Sequence, residues 1–111
     1  MKIAVIGAGA MGSIYGGKLS LKNDVYLVDT SSAIIEAVNS GGLVLEESGK
    51  DNTYHPKAVT TTASLEPVDL VILFVKALYS RAALEGNKGI IGEHTYLMTL
   101  QNGSRRKRLR L

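Results

Sequence analysis

Residues Ile3 to Gly12 read IAVIGAGAMG. The apolar run Ile3–Ile6 stops at Gly7, and three glycines follow at the spacing G-x-G-x-x-G: Gly7, Gly9 and Gly12. Helix-compatible residues come next, so the order is strand, tight turn, helix. Gly7 lacks the Cβ that forbids unusual φ values, which lets the chain turn sharply out of a strand. Gly9 lets the backbone approach a pyrophosphate, and Gly12 lets the new helix lie close against the strand. Gly16 falls on the same helical face as Gly12 and extends that close contact. The first-turn N–H groups and the positive end of the helix dipole would then face phosphates. A glycine turn that binds nothing is the plain alternative. A strand before the motif and a helix after it favour a dinucleotide loop made of Gly7, Ala8, Gly9, Ala10, Met11 and Gly12.

Outward from this loop, short apolar runs alternate with helical stretches. Lys2–Ile6 reads as a strand apolar on both faces, as in a buried parallel sheet. Ala10–Leu21 reads as a helix ending at the turn pair Asn23-Asp24. Val25–Val28 reads as the second strand. Ser31 or Ser32 can cap a helix over Ala33–Asn39, which Gly41-Gly42 stops. Leu43–Leu45 and Val59–Thr62 favour strand, with the polar segment Glu46–Asn52 between them, and together they predict an inserted antiparallel hairpin. Pro56 points to an edge position. Asp69–Lys76, DLVILFVK, is the strongest strand signal. A helix over Ala77–Glu85, a loop over Gly86–Gly89 and a last strand at Tyr96–Leu100 follow. This alternation predicts an α/β, Rossmann-type doubly wound, mainly parallel sheet with right-handed crossovers.

The chain has 111 residues, 45% of them hydrophobic, enough for one domain with a real core. It has no cysteine, which excludes disulfides and cysteine metal sites and fits a reducing compartment. No apolar run approaches the roughly 18 residues of a membrane helix, so no membrane partner and a cytoplasmic location are expected. His55 and His94 stand apart with no second His or Cys ligand near them; they read as surface residues and no metal is expected. Tyr15 and Tyr79 read as packing residues. The net charge of +3 is misleading. Arg105, Arg106, Lys107, Arg108 and Arg110 supply five of the thirteen basic residues, and the other eight face ten acidic ones. The body of the chain gives no reason to expect nucleic-acid binding.

Three further residues sit where strands end, on the side where open α/β sheets bind ligands. Asp29 follows the second strand at about the 20-residue distance from the glycines expected of a carboxylate that binds the adenosine ribose. Such a carboxylate repels a 2′-phosphate, although Thr30, Ser31 and Ser32 could donate hydrogen bonds to one. A loop aspartate or a helix cap is the plain alternative. Lys76 ends the strongest apolar run, and Asn102 follows the last strand. Either could meet a cofactor or substrate. A solvated strand end and an Asn-Gly turn residue are the corresponding plain readings.

Taken together, MKIAVIGAGAMGSIYGG, the DLVILFVKA strand and the TLQNG end resemble the ketopantoate reductase (2-dehydropantoate 2-reductase) family over residues 1 to about 103. The resemblance implies reduction of ketopantoate to pantoate with NADPH, a step towards coenzyme A. It matches Gly7, Gly9 and Gly12 to the cofactor loop. It also matches Lys76 of VKA and Asn102 of QNG to side chains that line the nicotinamide and substrate pocket. The Leu43–Thr62 insertion fits as well. Two departures stand out. The family usually has a basic residue near the end of the second strand to read the 2′-phosphate, where this chain has Asp29-Thr30, so the cofactor is NADP or NAD. Members also carry a second, helical domain that supplies the general-acid lysine and most substrate contacts.

The expected organisation is thus a dinucleotide-binding domain over residues 1–103 and a basic tail over residues 104–111, SRRKRLRL. A short solvated tail and a nucleic-acid or acidic-membrane contact are two readings of it. A frame change or artificial end of a longer gene is the favoured one, because the helix expected after the last strand is missing. The helical domain of the family is then absent, and no catalytic residue is assigned. An uncovered sheet face would make a homodimer the expected assembly. The resulting expectation is an NAD(P)-binding domain of a ketopantoate reductase-like oxidoreductase, acting on a small 2-keto acid and inactive alone. A non-enzymatic Rossmann-type nucleotide-sensing or interaction module is the alternative.

Overall fold

The computed structural model describes residues 1–7, 9–74, 80–100 and 106–109. Eight strands and three helices follow one another in it. β1 (Lys2–Ile6), α1 (Ala10–Leu19), β2 (Asp24–Val28) and α2 (Ser32–Gly41) come first. The strands β3 (Leu43–Glu47), β4 (Lys50–Tyr54), β5 (Lys57–Val59) and β6 (Leu70–Leu73) follow. Then come α3 (Ser80–Gly86), a 3₁₀ turn at Lys88–Ile90, β7 (Tyr96–Leu100) and β8 (Arg106–Leu109). The six-stranded sheet has the order β5-β2-β1-β6-β7-β8. Its first five strands run parallel, and β8 closes it antiparallel to β7.

Both faces of the sheet are covered, which explains why β1 is apolar throughout. Ile3 and Val5 face one cluster with Val25, Leu27, Ile35 and Val38, on the side of α1 and α2. Ala4 and Ile6 face the opposite cluster with Val71, Leu73, Ile90 and Leu97, on the side of α3. Strand alternation thus splits β1 between two cores. The chain order reverses beside β1: β2 and β5 lie to one side, β6 and β7 to the other. That is the switch point where open α/β sheets leave a crevice at the carboxyl ends of the strands.

Two expectations need correction. The inserted hairpin forms, but β3 pairs with β4, Glu47 opposite Lys50, and not with Val59–Thr62. Ser48 and Gly49 have φ of +51° and +79°, the left-handed pair that closes a two-residue hairpin. β4 reads KDNTY and is exposed except at Tyr54, so no apolar alternation marks it as a strand. Lys57–Val59 instead joins the parallel sheet beside β2 as its edge. There the Asn39 amide, from α2, donates to the Ala58 carbonyl at 2.9 Å and accepts from the Ala58 N–H at 3.2 Å. The second correction concerns the last strand. It is β8, not β7, since Arg106–Leu109, read as part of a tail, pairs with Leu97–Leu100.

The hairpin rests on α1. An added Cβ on Gly17 would stand 3.0 Å from Leu43 and 3.3 Å from Leu45. Lys18 holds Glu47 at 3.0 Å, and the Tyr54 hydroxyl donates to the same carboxylate at 2.7 Å. These two partners hold the Glu47 carboxyl below the usual carboxylate range, the Tyr54 hydrogen bond foremost.

Candidate functional site

The site begins where β1 ends. The Gly7 N–H donates to the Val28 carbonyl, and the Phe74 N–H donates to the Ile6 carbonyl, both at 2.8 Å. The exit of β1 is therefore held from both sides, by the ends of β2 and β6. Gly7 turns away with φ +105°, and an added Cβ would stand 2.8 Å from the Phe74 carbonyl oxygen. At Gly12 an added Cβ would lie 1.8 Å from the Gly7 carbonyl oxygen, so α1 reaches this position only without a side chain. Gly16 continues the close packing, with its Cβ position 3.3 Å from Leu27. Gly9 differs, because nothing stands within 4 Å of its Cβ position.

Gly9 is also the cap of α1, and it has no side chain to offer the first-turn N–H groups. Helix geometry leaves those groups without intrahelical acceptors. The first intrahelical bond runs from the Ser13 N–H to the Gly9 carbonyl at 2.8 Å. Met11, in this first turn, is exposed. Open space at Gly9 and donors at the turn form the cradle that a pyrophosphate requires. Beside it, the Tyr15 and Phe74 rings pack with centroids 5.4 Å apart, which gives Tyr15 the packing role expected of it. His55 and His94 are exposed, as expected.

Asp29 stands one residue beyond Val28, at the mouth of the same crevice. Its N–H donates to the Val59 carbonyl at 3.2 Å, and its carboxylate oxygen Oδ1 accepts from the Ser31 N–H at 2.8 Å. Ser31 in turn caps α2, its hydroxyl accepting from Ile34. Asp29 therefore acts as the turn that leads into α2 and also lines a cavity of about 480 Å³, within the size range of small-molecule sites. Ile6, Gly7, Val28 and Asp29 form one wall, and Thr60, Thr61, Ala83 and Asn87 belong to a second. The buried Thr62 fastens that second wall. Its hydroxyl donates to Asn87 Oδ1 at 2.7 Å, and the Asn87 amide donates to the Ala83 carbonyl at 2.7 Å.

The structure thus brings Gly7, Gly9, Gly12 and Asp29 to one edge. Ala10 and Met11 open α1 there, while Ala8, Lys76, Asn102 and Tyr79 lie outside the described residues. Sequence reasoning missed the second wall. Its signal was weak but present: Ala82, Ala83 and Gly86 are small residues that line the cavity at helical spacing, and Thr60–Thr62 is a polar run directly after a strand.

Comparison with known proteins agrees with this geometry. The profile of the ketopantoate reductase PanE/ApbA family matches residues 3–109. A 2-dehydropantoate 2-reductase of Streptococcus pyogenes serotype M3 is 38% identical over 104 residues, covering 93% of this chain and 34% of that protein. The crystal structure of a PanE/ApbA family ketopantoate reductase from Ralstonia eutropha JMP134 superimposes with a TM-score of 0.83 at 31% identity, over 93% of this chain and 35% of that one. A D-mandelate dehydrogenase determined with NADH and anilino(oxo)acetate gives 0.84 at 33% identity, over 95% and 35%. The chain spans about a third of the length of the relatives it matches. With the glycine loop, the switch-point cavity and these matches together, the chain belongs to the ketopantoate reductase PanE/ApbA family.

Proposed function

We propose that this chain forms the nicotinamide-dinucleotide site of a ketopantoate reductase-type oxidoreductase. The observation that carries the reading is the contrast within the loop: Gly7 and Gly12 are filled against backbone, whereas Gly9 faces open space beside the first turn of α1. A pyrophosphate placed there takes N–H donors that no side chain caps. The adenosine end then lies along the Asp29 wall of the cavity. When bound, NADH or NADPH supplies a hydride for the carbonyl of a 2-keto acid. By their match to the family's VKA and QNG segments, Lys76 and Asn102 are the residues we assign to the nicotinamide and the substrate. The relatives are about three times as long, and the family resemblance assigns the general acid to the part of them beyond this match. No helix among the described residues is long and apolar enough to cross a membrane, and we place the protein in the cytoplasm.

Calorimetric titration of NADH and NADPH into the 111-residue chain tests this. Saturable one-to-one binding of at least one of them is the expected result. Gly9→Val should weaken that binding about tenfold or more, a loss of roughly 1.4 kcal/mol, with an unchanged melting temperature. Absence of saturable binding by either dinucleotide would overturn the proposal.

A further inference from the structure

We infer that the Thr62 hydroxyl and the Asn87 amide form a latch that sets the width of the cavity, and that Thr62 governs dinucleotide affinity as a positioning residue without touching the ligand; the inference rests on the dinucleotide reading above. The walls of the cavity differ in firmness. Ile6, Gly7, Val28 and Asp29 stand at the ends of β1 and β2, which pair in parallel over their whole length. The second wall has two pieces from separate parts of the chain. Thr60 and Thr61 follow the three-residue β5, and Ala82, Ala83, Gly86 and Asn87 stand at α3. α3 has seven residues, well below the roughly 12–15 at which a helix is marginal by itself in water. Ala82, Glu85 and Gly86 are exposed, and the helix meets the core through Ala83 and Leu84. Its place beside the Thr60–Thr61 span therefore depends on tertiary ties.

One side-chain bond joins the two pieces. Thr62 is 3% exposed and is not among the described residues that line the cavity. Its hydroxyl donates to Asn87 Oδ1 at 2.7 Å. Chemistry fixes the direction of this bond. The other end of the amide, Nδ2, donates to the Ala83 carbonyl at 2.7 Å, a group that only accepts, so the acceptor end faces Thr62. The backbone anchors Asn87 as well: its N–H donates to the Leu84 carbonyl at 3.2 Å, and its carbonyl accepts from the Ile90 N–H at 3.1 Å. On the other side, the Thr61 hydroxyl accepts from the Ala63 N–H at 3.2 Å, and the Thr62 carbonyl accepts from the Leu65 N–H at 3.0 Å. Asn39 holds Ala58 upstream. The Thr60–Thr61 span is thus pinned at both ends, and the pin at Thr62 ties it to α3. Without that hydroxyl, Asn87 Oδ1 loses its donor in a part-buried place, and α3 can draw away from the span. A cavity that spends part of its time too wide binds with an apparent Kd raised by the reciprocal of the competent fraction.

Calorimetric dissociation constants of NADH, NADPH and 5′-AMP for the 111-residue chain and its variants test this. Thr62→Val keeps the shape of the side chain and removes the donor. It should raise the Kd of each ligand that the unaltered chain binds about fivefold or more, as when the competent arrangement falls to roughly a fifth of the population. Thr62→Ser keeps the hydroxyl and should stay within about twofold of the unaltered chain. Thr95→Val removes a bonded hydroxyl on the opposite edge and should leave every Kd in place, which separates the latch from a general loss of stability. Asn87→Ala breaks the same bond from its other side and should also weaken binding about fivefold or more. The double variant Thr62→Val/Asn87→Ala should bind no more weakly than Asn87→Ala, because one bond is lost once. Affinities of Thr62→Val or Asn87→Ala equal to those of the unaltered chain would overturn the inference and leave the dinucleotide site standing. A matching loss in Thr62→Ser or Thr95→Val, or additive losses in the double variant, would do the same. If the unaltered chain binds neither dinucleotide nor 5′-AMP, the dinucleotide reading itself falls, and the latch with it.

Discussion

At the amino ends of the strands, backbone and side chains bond to one another across the sheet; at the carboxyl ends, glycines and a cavity stand in the same places. On the amino side the Lys2 N–H donates to the Asp69 carboxylate at 2.7 Å, and the Asp69 N–H returns to the Lys2 carbonyl at 2.9 Å. The Asp24 N–H bonds the Met1 carbonyl, and the Tyr96 N–H bonds that of Asp69. Thr95 bridges two turns, its hydroxyl donating to the Val68 carbonyl at 2.6 Å and accepting from the Gly92 N–H at 2.8 Å. On the carboxyl side the backbone still bonds across the sheet, from Gly7 to Val28, Phe74 to Ile6 and Asp29 to Val59, but beside those bonds glycines leave the room that side chains would fill. The two edges teach the same lesson from opposite directions. Polar groups partnered within the protein stabilise it, and groups that are to meet a ligand need small neighbours that leave room.

The strongest way to break this comparison is Gly12→Ala. Its Cβ would meet the Gly7 carbonyl oxygen, so the helix must move or the turn must open. About 3 kcal/mol of stability should be lost, at the upper end of overpacking costs, together with dinucleotide binding. Urea unfolding and calorimetry read the two losses, and an unchanged urea midpoint would show that α1 does not approach the turn this closely. Next comes Thr95→Val on the opposite edge. It removes one donor and one acceptor for about 1–2 kcal/mol, while dinucleotide affinity stays within error. A fall in affinity would show that the two edges are not independent.

The smallest effect is expected from a third region, the hairpin. With its carboxyl held low by Tyr54 and Lys18, Glu47 contributes stability that is present above the ordinary carboxylate range. That contribution is lost as pH falls through the lowered value. Glu47→Gln should flatten this acid limb of the thermal unfolding profile slightly, since surface pairs are worth little, and leave cofactor affinity unchanged. An acid limb identical to that of the unaltered chain would place the Glu47 contacts outside the stability of the fold.

Most of this fold could be read from local chemistry. β1, β2 and β6 are apolar because both faces are buried, and the glycine spacing states the turn between β1 and α1. Its distance from that turn singles out Asp29, which the fold sets on the lining of the cavity. What escaped was specified by partners and not by its own composition. β4 is hydrophilic because it lies in an exposed two-stranded sheet, and only the Ser48-Gly49 turn sets its register. β5 has three residues, and what completes it is a side chain from α2. Basic composition gives no hint of β8, whose evidence is its pairing with β7. The Thr60–Thr61 and α3 wall of the cavity comes together through the Thr62–Asn87 contact, 25 residues apart, a distance over which no spacing rule operates.

The Asn39 amide on β5 has a consequence for assembly. A strand edge is normally a template on which another chain can add by backbone pairing. At Ala58 both groups such a chain would use are already taken by one side chain. Asn39 therefore acts as a stopper, occupying the place of a seventh strand without providing a further edge beyond itself. Any copy of this molecule that sought to extend the sheet past β5 would first have to displace an amide that α2 holds in place.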